Sequence, residues 1–232
     1  MNGLSTLRVV DFSHQIAGPY CSKLLVDAGA EVIKVEPHSG DSLRRSSATA
    51  ADLGGRDSAL FCYLNAGKRS VVGSPGDPHV DALVAQADIV IEAHGLEADT
   101  GPRLDVGALR SAHPSLVVVS ITPYGVEGPW ADRKATEFTL QAECGSLGMR
   151  GVMGKEPFQA GGRIAEWAAG TYAAVAAVPA VIAARAQGRG DHLDVSILET
   201  ANIIYTNFSE TMNRLMNGSA DTPEHALSLI HI

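Results

Sequence analysis

The sequence predicts an α/β protein with a Rossmann-like parallel sheet and flanking helices. Short β-branched apolar runs, each of the length of a buried strand, alternate with segments whose apolar residues lie three or four positions apart. Those intervening segments end near a Gly or a Pro, as crossover helices do. Regular alternation of strands and helices is typical of a parallel sheet that is covered on its faces by helices.

The first part of the chain is expected to supply four strands and the helices that join them. The expected strands are LRVVDF at 7–12, EVIKVE at 31–36, DIVIEA at 88–93 and LVVVSIT at 116–122. The expected helices are PYCSKLLVDAGA, DPHVDALVAQA and DVGALRSAHP. These elements follow one another as βαβ units, and the strands should therefore pair in parallel.

The second part continues the same pattern. A helix is expected over 138–150, and a long alanine-rich helix over 164–186, which the QGRG turn ends and Pro179 should kink. The run DHLDVSI predicts one more strand, followed by a last helix. Since internal repeats and low-complexity linkers are lacking, one domain is the simplest interpretation.

Composition excludes several classes of protein. With 45% hydrophobic and 19% charged residues, the 232-residue chain resembles an ordinary globular protein. A net charge of -8 argues against nucleic-acid binding, although a local basic pocket for an anionic small molecule is compatible with it. Three scattered cysteines and eight single histidines predict neither a disulfide framework nor a metal site.

The location of the protein is predicted from what the chain lacks. We expect no membrane partner, because no apolar run approaches the roughly 20 residues of a membrane span and the N-terminus lacks the order of regions of a signal peptide. A cytoplasmic protein fits best. The chain stops on the apolar run EHALSLIHI, so we expect residues 223–232 to be a truncated or non-native tail.

Ligands of open α/β sheets bind beyond the carboxyl ends of the strands, which points to the loops FSHQIAGP, EPHSGD, EAHG and ITPYGVEGP. A dinucleotide or triphosphate site is not supported, because GxGxxG and a complete Walker loop are lacking. Lys68 and Arg69 could equally form a solvated turn or contact an anion. The stretch GGRIAEWAAG places Glu166 at the start of the alanine-rich helix, where a carboxylate either caps the helix or does chemistry.

Five segments together resemble the class III CoA transferases, a family that includes formyl-CoA and carnitine-CoA transferases and, by homology, methylacyl-CoA racemases. Each segment is weakly specific alone, but their number, order and spacing over residues 4–210 are highly specific. The segments are LRVVDFSHQIAGPYCSKLLVDAGAEVIKVEP, NAGKRSVV, ADIVIEAHG, TPYGVEGPWADRKATEFTLQAECGSL and GRGDHLDVSILET.

This resemblance implies that the protein transfers coenzyme A from an acyl-CoA thioester to a carboxylic acid. Glu166 stands where the family carries its nucleophilic aspartate, which implies an anhydride and then a glutamyl-CoA thioester on this residue. Acyl-CoA and the acceptor acid are then substrates, and neither a metal nor a permanently bound cofactor is implied.

The family's contacts carry over to named positions. Glu137 would be a second catalytic residue that orients the acyl or acceptor group, and Lys134 would bind the CoA ester, although both could instead form an exposed charge cluster at a helix start. By the resemblance, the remaining CoA contacts fall in the loop after LRVVDF, just after EVIKVE, in the loop after the family's KRS strand, and in the EAHG segment. They are Ile16, Ala17, Pro37, Gly73, Ser74, Ala93, His94 and Gly95.

Three departures from the family's pattern bear on activity. Glutamate in place of aspartate moves the carboxylate outward by one methylene, and the loop EAH replaces the usual ENF. The turn after KRS is also shortened, to GSPGDP. Thr136 stands where racemases carry a histidine, so proton abstraction is not expected.

The resemblance also implies a longer protein. The family's subunit has a large domain, a small domain and a C-terminal return, and two subunits interlock as a homodimer. Residues 1–222 would be the first pass of the large domain, with the small domain and the return absent. The GGRIAEW pattern resembles tandem members of the family, and the alternative function is therefore a catalytically weakened half that binds CoA esters or supports an active half.

Overall fold

The computed structural model describes residues 3–94, 96, 103–149 and 155–205. In these ranges, six parallel strands form one sheet in the order β3-β2-β1-β4-β5-β6. The strands are β1 (Arg8–Asp11), β2 (Glu31–Glu36), β3 (Arg69–Val72), β4 (Ile89–Ala93), β5 (Val117–Thr122) and β6 (His192–Ser196). The predicted α/β fold with a parallel sheet is therefore confirmed.

Seven helices of the described ranges connect or cover these strands. They are α1 (Ala17–Asp27), α2 (Ala59–Asn65), α3 (Pro78–Val84), α4 (Val106–Ala112), α5 (Glu137–Glu143), α6 (Ile164–Gln187) and α7 (Ile197–Tyr205). Short 3₁₀ turns lie at Ser42–Arg45 and Ser146–Met149. The chain winds outward from β1 in one direction and from β4 in the other, which leaves a crevice between the carboxyl ends of these two strands.

The helices form two layers. On one face of the sheet, α1, α6 and α7 pack against strand residues such as Val9, Ile91 and Val119. On the other face, Val80 and Val84 of α3 pack against the opposite side chains of the same strands. The alternation of side chains along each strand thus supplies two apolar cores.

Helix α6 lies directly against α1. Its buried side chains include alanines four positions apart, at Ala165, Ala169, Ala173 and Ala177. At Gly170 the two backbones come so close that an added Cβ would lie 2.5 Å from the carbonyl oxygen of Ala17. Small side chains on this face therefore bring the start of α6 to the loop that precedes α1.

One predicted helix needs correction, and two elements were not predicted. The helix expected over 138–150 is α5, which ends at Glu143 because Gly145 adopts a left-handed conformation with φ of 79°. Strand β3 and helix α2 are absent from the pattern-based assignment; β3 is an exposed edge strand and so lacks a continuous apolar run.

The expectation that no apolar run approaches the length of a membrane span is wrong. Helix α6 has 24 residues and a mean hydropathy of 1.6 over 18 of them, which is long and apolar enough to cross a membrane. Core helices meet the same criterion, and the alanine face of α6 packs against α1 and the sheet. Length and composition alone therefore carry little weight here.

Candidate active site

Glu166 is the third residue of α6, as the sequence predicts, and its side chain is only 1% exposed. Its Oε2 accepts a hydrogen bond of 3.2 Å from the backbone N–H of Ile16, the residue before α1. Its Oε1 accepts a hydrogen bond from Nε of Arg163, in the turn that leads into α6. A buried carboxylate thus meets a backbone donor at the carboxyl edge of the sheet.

The surroundings of Glu166 act on its charge in opposite directions. Burial raises the pKa of Glu166, because water no longer solvates the carboxylate, and the nearby carboxyl of Glu137 adds to this rise. The Arg163 guanidinium and the N–H of Ile16 lower the pKa, but they do not cancel the effect of burial. Glu166 therefore carries a carboxyl whose ionised form is less favoured than in water.

Glu137, the predicted second catalytic residue, opens helix α5 and is 7% exposed. Its Oε1 accepts hydrogen bonds from Nε2 of Gln141 at 2.8 Å and from the backbone N–H of Ala165 at 3.1 Å. Its Oε2 is buried and has no hydrogen-bond partner among the described residues. An exposed charge cluster is thus excluded for Glu137, which is tied to the first turn of α6.

Gln141 extends this connection. Its side-chain amide donates to the carbonyl oxygen of Ala160 at 3.0 Å and accepts from the N–H of Ala160 at 2.8 Å. The segment before α6 is therefore fixed to α5 by two hydrogen bonds, one to the nitrogen and one to the oxygen of the Gln141 side-chain amide. Trp167 adds a second attachment, because its indole N–H donates to Gly162 and its ring meets Tyr20 of α1 edge-on at 4.7 Å.

Asp11 anchors the loop that carries Ile16. It ends β1, is fully buried and accepts hydrogen bonds from the N–H of Ser13 and from the hydroxyl of Ser22. Nζ of Lys68 lies 3.3 Å from its Oδ2. Burial alone would raise the pKa of Asp11, but Lys68 and Lys34, together with the hydroxyl groups, lower it to about 2.

Lys34 supports the same loop from β2. Its Nζ donates to the carbonyl oxygen of Ser13 at 2.7 Å and lies 2.9 Å from Oδ2 of Asp41. Both side chains of this ion pair are at most 1% exposed. We refer to Asp11, Lys34, Asp41 and Lys68 as the support cluster. It fixes the backbone from which the N–H of Ile16 reaches Glu166.

The predicted site residues fall into two groups. Ile16 and Ala17 lie at the start of α1, where the N–H of Ile16 meets Glu166, and Ala93 ends β4 close to Gly18 in the first turn of α1. His94 follows, with Nε2 at 3.1 Å from Oε2 of Glu92. Gly95 lies outside the described residues.

The second group lies further along the same edge. Pro37 follows β2, and Gly73 and Ser74 follow β3, where the N–H of Ser74 binds Asp77 at 2.8 Å. Lys134 is exposed in the segment before α5. The contacts of the described residues do not join these four positions to Glu166.

Neither interpretation of Lys68 was right, because it forms the buried ion pair with Asp11, and only Arg69 is exposed, 2.7 Å from Glu31. A clear sign was available for two other residues that the sequence analysis missed. Arg163 precedes Glu166 by three positions and Gln141 follows Glu137 by four, which are the spacings of neighbours on a helix surface. Gln15, which binds Arg163, carries no such sign because it lies 148 positions away.

Two curated relatives are similar to this chain in sequence. The chain is 34% identical over 223 residues to a succinate–glutarate CoA-transferase of Agrobacterium fabrum, covering 93% of this chain and 55% of that protein. It is 30% identical to a formyl-CoA:oxalate CoA-transferase of Streptomyces avermitilis, covering 84% of this chain and 47% of the relative. The chain thus spans about half the length of these relatives.

Solved structures agree. A CAIB/BAIF family protein from Brucella suis superposes with a TM-score of 0.80 at 33% identity, covering 94% of this chain and 58% of that one. The family model described as CoA-transferase family III matches residues 4–228. Because that match includes nearly the whole chain, the protein belongs to CoA-transferase family III.

Proposed function

We propose that the complete protein transfers coenzyme A between an acyl-CoA thioester and a carboxylic acid, with Glu166 as the nucleophile. The observation that carries this proposal is the buried Glu166 carboxylate, which the N–H of Ile16 binds in the loop after β1, beside the crevice between β1 and β4. Membership of the family supports the reaction class. Burial supports the role of the residue, because a poorly solvated carboxylate is a stronger nucleophile than one in water.

The first half of the proposed reaction attaches CoA to the protein. A carboxylate oxygen of Glu166 attacks the thioester carbonyl, the C–S bond breaks, and CoA leaves as a thiolate, which gives a mixed anhydride. The thiolate then attacks the side-chain carbonyl of Glu166. This step expels the donor's carboxylate and leaves a glutamyl-CoA thioester.

The second half reverses these steps with the acceptor. The acceptor carboxylate attacks the glutamyl-CoA carbonyl and releases the thiolate, which leaves an anhydride of Glu166 and the acceptor. The thiolate then attacks the acceptor's carbonyl carbon in this anhydride. The products are the acceptor's CoA thioester and the free Glu166 carboxylate. Backbone N–H groups such as that of Ile16, which binds the Glu166 carboxylate, would stabilise the oxyanions.

Glu137 and the edge loops would hold the substrates. We assign Glu137 to the acyl or acceptor group, because its buried Oε2 has no hydrogen-bond partner within the described part of the chain and its carboxyl acts on Glu166. We assign Lys134 and the loops that follow β1, β2, β3 and β4 to the CoA ester, because they share the carboxyl edge of the sheet.

The proposal extends to the complete molecule. We propose that the described sheet is the first pass of a large domain in a cytoplasmic, interlocked homodimer, with a small domain and a return supplied by further chain. Exposed apolar side chains support this, since Val175 and Ile182 of α6 are 68% and 65% exposed and Ile203 of α7 is 59% exposed.

One observation favours the second candidate, a weakened half that binds CoA esters or supports an active half. Both carboxylate oxygens of Glu166 already accept hydrogen bonds, one of them from a cation. A carboxylate whose two oxygens are both engaged in hydrogen bonds attacks more slowly than a free one, so a half of this kind would bind the ester with little turnover.

Replacement of Glu166 by Gln in the full-length protein separates these functions. We expect Glu166→Gln to abolish transfer while the affinity for the CoA ester stays within a few-fold, because the amide keeps the shape and removes the attacking charge. Glu199→Gln, in the first turn of α7, is the matched control and should leave the rate unchanged. Full transfer activity in purified Glu166→Gln would overturn the assignment.

A further inference from the structure

Arg163 connects the nucleophile to a distant loop. Its Nε donates to Oε1 of Glu166, and its Nη1 donates to Oε1 of Gln15 at 2.8 Å. Gln15 precedes Ile16, whose N–H binds the other oxygen of Glu166. The loop before α1 and the turn before α6 therefore meet through one guanidinium, and both hold the same carboxylate.

The backbone at both ends of this connection is unusual. Gln15 has φ of 63° and Arg163 has φ of 57°, which is the left-handed region that side chains other than glycine seldom adopt. Such conformations are strained for a residue with a Cβ atom and tend to cluster at functional sites. The two residues that touch through their side chains are thus two of the three left-handed non-glycine residues in the described ranges.

The guanidinium is only partly used by the fold. Nη2 of Arg163 is buried and has no hydrogen-bond partner among the described residues. Buried donors are nearly always paired in proteins, so an unpaired donor beside a reactive group requires an explanation. A purely structural arginine would have its donors satisfied.

Among the described groups around Glu166, Arg163 is the one whose charge can stabilise the ionised carboxylate. From α5 comes the carboxyl of Glu137, which disfavours a second negative charge, and the α1 side supplies the uncharged N–H of Ile16. Arg163 is the cation that acts on Glu166 among the described residues. Removal of this cation would leave the buried Glu166 carboxyl exposed to the electrostatic repulsion of Glu137 without a compensating charge.

We propose that Arg163, held by Gln15, is a positioning residue that keeps Glu166 ionised and turned toward the N–H of Ile16. This inference rests on the proposed function, because an ionised Glu166 matters for the rate only if it is the nucleophile. It assigns Arg163 no contact with the reacting atoms. Gln15 fixes the guanidinium, and the guanidinium fixes the carboxylate.

The test is the pH profile of CoA transfer by the full-length protein. In Arg163→Met, Glu166 should ionise only at higher pH, so the rising limb should move upward by about 1–3 pH units. The rate at pH 7 should fall about tenfold or more and recover as the pH is raised. Arg163→Lys keeps the charge, and its rising limb should stay near that of the unmodified protein.

Two further variants complete the design. Gln15→Leu leaves the cation but releases it, so we expect a smaller upward shift of the limb. Arg185→Met, near the end of the same helix, removes an arginine that pairs with Asp88 instead, and should leave the profile unchanged. If Arg163→Met does not fold, the positions of the limb in Arg163→Lys and Gln15→Leu decide.

The outcomes distinguish this inference from the proposed function. A profile of unchanged shape in Arg163→Met and Gln15→Leu, with the rate lowered equally at every pH, would overturn the inference alone. An unmodified full-length protein that transfers no CoA at any pH would overturn both. An upward shift in Arg163→Met that Arg163→Lys reverses would support the inference.

Discussion

Two buried groups of charges meet at the loop before α1, and they differ in how completely they are paired. The support cluster has two acids and two lysines, and each charge lies within 3.3 Å of an opposite one. The nucleophile cluster, which we define as Glu137, Arg163 and Glu166, has two acids and one cation.

The difference appears in their protonation. The pKa of Asp11 falls to about 2, since Lys68 and Lys34 outweigh the effect of burial, whereas burial and Glu137 raise the pKa of Glu166. Among the described residues, Oε2 of Glu137 and Nη2 of Arg163 have no hydrogen-bond partner, and Oδ2 of Asp41 in the support cluster also lacks one but lies 2.9 Å from Nζ of Lys34. Balanced charges hold the backbone of this loop in place, and the unbalanced charges around Glu166 accord with the nucleophilic role that we propose for it.

Breaking the support cluster should give the largest loss of stability. Lys68→Met leaves Asp11 buried without its closest cation, which costs about 3–5 kcal/mol of unfolding free energy. Arg69→Met is the matched control, because the neighbouring residue forms an exposed pair with Glu31 worth about 0.2–1 kcal/mol. Urea unfolding of both variants measures the difference, and equal losses would contradict the comparison.

Changing the nucleophile cluster should affect the rate more than the stability. Glu137→Gln removes the negative neighbour of Glu166 and keeps an acceptor for the N–H of Ala165. Because Glu137 raises the pKa of Glu166, the rising limb of the pH profile should move downward, opposite to the shift in Arg163→Met.

The same variant also tests substrate orientation. If Glu137 orients the acyl or acceptor group, the plateau rate above the rising limb should fall by up to about 100-fold, since a misplacement of about 1 Å can cost that much. Glu143→Gln, at the other end of α5, is the control for a lost helix charge. An unchanged limb together with an unchanged rate would remove Glu137 from the site.

The sequence predicts the sheet better than it predicts the contacts within the support cluster and the nucleophile cluster. β-branched runs mark β1, β2, β4 and β5 because those strands are buried, and the edge strand β3 escapes because most of its side chains are exposed. The first-turn position of Glu166 is also readable, since the alanine-rich pattern begins beside it.

The features that the sequence does not predict depend on backbone conformation and on contacts between residues far apart in the chain. No residue type marks Gln15 or Arg163 as left-handed, because glycine is the residue that normally signals this region. Lys68 reads as a turn residue because its neighbours are polar, yet the fold brings it to Asp11, 57 positions away. Pairing between remote charges is fixed only when the strands are in register.

The most direct test of the account is covalent capture at Glu166. The full-length protein is incubated with an acyl-CoA and hydroxylamine, and its peptides are analysed by mass spectrometry. Hydroxylamine attacks a glutamyl thioester or anhydride, so we predict a hydroxamate on Glu166 that requires acyl-CoA and is absent from Glu166→Gln. Measurable binding of the CoA ester with no modification of Glu166 would contradict the account.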